Sequence, residues 1–82
     1  MTYKLINAEN VQLETMTAED IAHATPALLS AVHRTMVAEE GNDCTINVHV
    51  PVPAGDGLWF ISASAVRGSE IELTGFIVKR ES

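Results

Sequence analysis

Three histidines (His23, His33, His49), one cysteine (Cys44) and two closely spaced serines (Ser62, Ser64) are the side chains of this chain most suited to acid–base, metal or nucleophilic chemistry. A cysteine–histidine dyad needs the thiol within hydrogen-bonding reach of the base. His49 lies five residues beyond Cys44 on the same strand-like run, so pleat parity turns the two to opposite faces. Cys44 therefore reads as a small core residue. His23 and His33 are ten residues apart, which on one helix sets them about 80° apart in azimuth. No His-x-x-x-His or Cys-x-x-Cys spacing accompanies them, so no metal site is expected. The serines of ISASAV lie mid-strand, whereas a nucleophile elbow sets its serine on a sharp turn between glycines. Gly55-Asp56-Gly57 offers one carboxylate, far fewer oxygens than a calcium loop supplies, and reads as a turn. No glycine-rich phosphate cradle is present, and no motif calls for a cofactor.

The charges narrow the partners. The five basic residues, Lys4, Arg34, Arg67, Lys79 and Arg80, are scattered through a chain of net charge −6. They cannot assemble the cationic face that phosphate backbones require, so nucleic acid is not an expected partner. With one cysteine no intramolecular disulfide forms. The opening MTYKLINAEN has no apolar signal-peptide core, and no run approaches the ~18 apolar residues of a membrane span. A cytoplasmic protein without membrane contact is expected.

The 82 residues are expected to form one small domain, with 46% apolar and 20% charged residues. Residues 1–16 are weakly patterned and read as a short strand at Tyr3–Asn7 and an extended strap. Residues 17–41 read as helical. Thr17 is placed to cap a short helix over Ala18–Ala24, and Pro26 predicts a break at Thr25 with a new helix over Pro26–Glu40. Leu28, Leu29, Ala31, Val32 and Met36 form its apolar stripe, and Gly41-Asn42 its stop. Residues 44–80 read as a β-meander of Cys44–Val52, Leu58–Val66 and Glu70–Lys79. The expected fold is therefore α+β: an antiparallel sheet of three to four strands, with one main helix and a short preceding helix on one face.

Two turns set a register. A hairpin turn at Gly68-Ser69 pairs Arg67 with Glu70 and Phe60 with Ile77, putting Val66, Ser64, Ser62, Phe60, Ile71, Leu73 and Ile77 on one face. Pairing Val52 with Leu58 across PAGDG adds Val48 and Val50 to that face, taken as the one beneath the helix. The other face then carries Pro51, Trp59, Ile61, Phe76 and Val78, with His49 at its margin. Pro51 and Pro53 lack an N–H and suit an edge strand, with Tyr3–Asn7 on the far side beside Glu70–Lys79.

An uncovered apolar face implies either a strap, formed by residues 1–16, or a partner. The expected function is that of a non-catalytic module acting by protein–protein contact. It would self-associate through Pro51, Trp59, Ile61, Phe76 and Val78, with His49 alongside and Trp59 as anchor. The alternative is a small-molecule-binding or enzymatic domain whose pocket lies near His49 and Trp59, or between subunits.

Overall fold

A computed structural model of the chain describes residues 1–81. In chain order the elements are β1 (Thr2–Ile6), β2 (Gln12–Thr17), α1 (Ile21–Glu40), β3 (Thr45–Val48), β4 (Val52–Gly55), β5 (Leu58–Arg67) and β6 (Glu70–Arg80). The class is α+β, one helix against one antiparallel sheet ordered β2-β1-β6-β5-β3, with β4 also paired to β5. The sheet is thus wider than the three to four strands expected. The strands beyond the expected four are β2, which pairs with β1 and extends the sheet sideways without crossing its face, and β4, which separates from β3 where a single Cys44–Val52 strand was expected.

The β5–β6 hairpin holds the register predicted from its turn, from Arg67 opposite Glu70 to Trp59 opposite Val78. Gly68 supplies the positive φ (59°) that the tight turn needs. β1 pairs with β6, Leu5 opposite Val78 and Lys4 opposite Lys79, as the sequence indicated. The proline-containing segment lies at the sheet edge, but not as one strand. The pairing advances from Val48 opposite Ala63 to Val52 opposite Phe60, four residues against three, so one residue bulges out. β3 already sits one residue from the expected register, with Val48 opposite Ala63 on the helix side and not beside Ser62. The bulge adds a second, so Val52 faces Phe60 where Leu58 was expected and Pro53 faces Trp59 in place of Pro51.

The helix is continuous. Asp20 caps it and Thr17 does not: its backbone is extended and its carboxylate accepts the N–H of His23 at 2.9 Å. No short helix precedes it. Thr25 lies inside it, its hydroxyl donating to the carbonyl of Ile21 at 2.8 Å. Pro26 is tolerated because the carbonyl it deprives of a donor belongs to Ala22, which is exposed and reachable by water. Buried Ala24 and Leu28 hold the helix to the sheet on either side of the proline. Gly41 ends it at φ 86°, its N–H bonding the carbonyl of Val37. Arg67 then ties this end to the sheet, donating to the side chain and the backbone carbonyl of Glu40, where helix carbonyls lack intrahelical donors.

The helix covers the face opposite to the one expected. Ala24, Leu28, Ala31, Val32 and Met36 pack on Ile61, Ala63, Ala65, Phe76, Val78, Tyr3 and Leu5, all of them buried. Both faces of β5 and β6 carry apolar residues, so alternation alone leaves the choice open. Two terms decide it. Covering the other face would complete the burial of Ser62 and of Ser64, the latter already only 8% exposed, at roughly 1–3 kcal/mol for each hydroxyl left unpaired, whereas Ala63 and Ala65 cost nothing. Pairing with β1 also places Tyr3 and Leu5 on the Val78 side and Lys4 on the other.

Candidate interaction face

The uncovered face of the sheet is a grid set by the strand pairings. Val66 lies beside Ile71, Ser64 beside Leu73, Ser62 beside Gly75 and Phe60 beside Ile77. On the other flank of β5, Thr45 and Asn47 lie beside Val66 and Ser64, and Val52 beside Phe60. His49 donates its backbone N–H to the carbonyl of Ser62 at 3.0 Å, which holds it at the same flank.

Large apolar side chains on this face stand in water. Leu73 is 78% exposed, Ile71 65%, Val52 56%, Phe60 41% and Ile77 36%. Scattered apolar residues need no explanation, but a contiguous set on one sheet face does. Between them lies a cleft of about 320 Å³, lined by His49, Phe60, Ser62, Ser64, Leu73 and Gly75, among others. Its floor is made of small side chains and its walls are Phe60 and Leu73. The ring of Phe60 leans over Gly75 so closely that a Cβ there would lie 2.8 Å from two ring carbons.

The face is also free of acid. Among the described residues, the outward positions of β3, β5 and β6 carry no aspartate or glutamate, although the whole chain has eleven. Lys4 at its border is ion-paired with Glu81, which holds the Glu81 carboxyl below the usual carboxylate range, chiefly through that hydrogen bond. Glu70 and Glu72 alternate onto the opposite side, as do Glu14 and its partner Arg34 on the helix, 2.9 Å apart.

The residues singled out from sequence are divided by the fold. Ile61, Phe76 and Val78 are buried beneath the helix, at 0%, 1% and 0% exposure, so they form core and no docking surface. Trp59 is half-buried at the end of that core, edge-on to Tyr3 at 5.8 Å and beneath the Arg80 guanidinium at 5.9 Å. Pro51 is half-buried in the bulge between β3 and β4. Only His49 reaches the cleft, where its neighbour is Phe60 and not Trp59. Phe60, Ile71, Leu73 and Ile77 were read as core. The signal that could have exposed them was the alternation of Tyr3 and Leu5 with Lys4, since β1 must share a face with Val78.

Of the side chains with chemical potential, His49, Ser62 and Ser64 line the cleft together, whereas Cys44 and His23 lie apart from it. Cys44 is half-buried on the helix side, its Sγ 3.7 Å from the carbonyl of Gly41. His23 contacts the capping Asp20 at 2.6 Å on the exposed start of the helix. Among the described residues no three of His, Cys, Asp and Glu converge as metal ligands, and no helix is long and apolar enough to cross a membrane. The chain matches no protein-family model, no curated protein and no solved structure.

Proposed function

We propose that this chain is a non-catalytic module that works by protein–protein contact, pairing with a second copy of itself through the uncovered face of the sheet. The observation that carries this is the exposed set Val52, Phe60, Ile71, Leu73 and Ile77 on a face where the outward positions of β3, β5 and β6 carry no carboxylate and Glu81 at the border is paired with Lys4. An acidic chain that meets itself needs such a surface, because like charges brought together would oppose contact. β5 and β6, with β3 and β4 in succession along the other flank of β5, make three rows ~4.8 Å apart and roughly ten residues long at ~3.3 Å each, a footprint on the order of 500 Å² per copy. Two copies bury about 1,000 Å², the lower bound for a specific contact, so the pair is transient and concentration-dependent. Light scattering on a sizing column across a concentration series tests this. The mass is expected to rise toward that of a dimer, and Ile77→Lys to hold the chain monomeric with its helix intact. A wild-type chain that stays monomeric at the highest concentration would overturn the proposal.

The cleft supports a second reading, a site for a small apolar ligand. Its apolar walls enclose the serine hydroxyls and the His49 ring as the polar groups that would orient a guest. Ligand-dependent shifts of the His49 ring protons in a metabolite screen would favour it, and an unresponsive ring would count against it.

A further inference from the structure

We propose that the cleft receives Leu73 of the second copy, so that the two chains interlock as knob and hole on the same face. This rests on the self-association proposed above and specifies its geometry. Leu73 is the most exposed large apolar residue of the chain, at 78%. It forms one wall of the cleft whose open floor is Ser62 and Ser64, Gly75 lying beneath the Phe60 ring. Leu73 faces Ser64 across the hairpin while Gly75 faces Ser62, so the knob lies diagonally about 7 Å from the centre of the hole.

That juxtaposition is what a twofold contact requires, because each copy must offer both members of every interaction. A twofold axis lying between the two sheets, midway between Leu73 and Ser62, carries each leucine over the part of the other copy's cleft that the Phe60 ring leaves open. The space is sufficient. An apolar cavity of ~150 Å³ accommodates a benzene ring, and this one holds about 320 Å³. Glycine and serine keep the floor low, and Phe60, held over Gly75, closes the end that the incoming leucine would pack against. Electrostatics also favour a second copy of this chain. A partner of opposite charge would be met by acids facing it, and here the outward positions of β3, β5 and β6 hold none, the border Glu81 being paired with Lys4.

Two variants separate knob from hole. Leu73→Ala removes the knob and is expected to weaken the dimer roughly 100-fold, since two leucines lose their burial per dimer. Ser62→Leu fills the hole and is expected to block the dimer while its own knob stays intact. Mixed in equal amounts, the two variants regain one knob, which enters a hole that lacks its Leu73 wall but keeps the Phe60 wall and the serine floor. The mixture is therefore expected to form a heterodimer tighter than either homodimer, read by native mass spectrometry with one chain isotope-labelled. Circular dichroism of each variant establishes that it folds. Should Ser62→Leu not fold, Leu73→Met provides the second arm, because a knob of similar size is expected to keep the dimer. A wild-type dimer indifferent to Leu73→Ala would overturn the knob-and-hole geometry and leave self-association standing. A wild-type monomer would overturn both, and a small ligand or another protein that binds the cleft of that monomer would be its true occupant.

Discussion

The ring of Phe60 and the backbone of Gly75 occupy the same place on the uncovered sheet face, diagonal to one another across the β5–β6 hairpin. A side chain at position 75 would evict the ring, since even a Cβ would sit 2.8 Å from Cε1 and Cζ. A glycine within a strand carries an entropy cost and no side chain to pack, for which the aromatic cover compensates. Gly75→Ala is therefore expected to destabilise the wild-type chain by about 1 kcal/mol, as the overpacked ring swings into water. In a Phe60→Ala background the same change should be neutral or stabilising, because alanine suits a strand better than glycine by ~0.5–1 kcal/mol. Urea denaturation of the four chains in a double-mutant cycle measures the coupling, and additive effects would separate the two residues.

Trp59 belongs to the end of the core. It meets Tyr3 edge-on at 5.8 Å and shares a face with buried Ile61 and Val78. Trp59→Ala is expected to cost about 2–3 kcal/mol, somewhat below the 3–5 of a fully buried aromatic because the residue is half-exposed. Its emission should be unchanged by dilution, because it lies on the helix side of the sheet. A Trp59→Ala chain as stable as its parent, or an emission maximum that moves with concentration, would place the indole at the contact face.

These two residues, adjacent in sequence, show where the sequence was legible and where it was not. The hairpin register followed from Gly68-Ser69 and strict alternation, and every pair from Arg67–Glu70 to Trp59–Val78 is as expected. The face was not decided by that alternation, since Phe60 and Trp59 are equally apolar. What decided it was the desolvation of two serine hydroxyls and the partner strand around Lys4, terms that binary patterning does not contain. The edge strand misled for a related reason. Val48, Val50 and Val52 alternate perfectly, but Pro51 and Pro53 cannot donate to the ladder, and the chain bulges between His49 and Val52. Trp59, Ile61, Phe76 and Val78 thus came to lie on the helix side although the β5–β6 register is as expected, and of the site residues only His49 stands at the open cleft.

Pro26 is the helix's weak point. It occupies the sixth position of α1, past the turn in which a missing N–H is free of cost. Replacing it restores the hydrogen bond to the carbonyl of Ala22 and removes the ring's clash, up to ~3 kcal/mol in a helix interior. The more flexible unfolded chain offsets ~0.5–1 kcal/mol of that gain. Pro26→Ala is therefore expected to stabilise the chain by about 1–2 kcal/mol, seen as a higher urea midpoint with an unchanged slope. A lower midpoint would mean that the proline starts the helix and does not interrupt it.

Asp20 makes the same helix sensitive to acid. Its carboxyl is held below the ordinary value of 3.8, first by the backbone N–H of His23 and then by the His23 side chain. A carboxyl whose folded pKa is depressed contributes stability that is complete above its unfolded pKa and lost as pH falls through the folded one. The cap's contribution is therefore expected to be constant at neutral pH and to fade only below about pH 4. Asp20→Asn keeps an oxygen that accepts the same N–H but removes the titration. The difference in melting temperature between wild type and Asp20→Asn should thus shrink or reverse as pH drops from 5 toward 3, on the order of the unfolded carboxyl range. Thermal unfolding at several pH values, followed by helix circular dichroism, provides the comparison. A difference independent of pH across that window would show that the carboxylate charge has no part in holding the helix end.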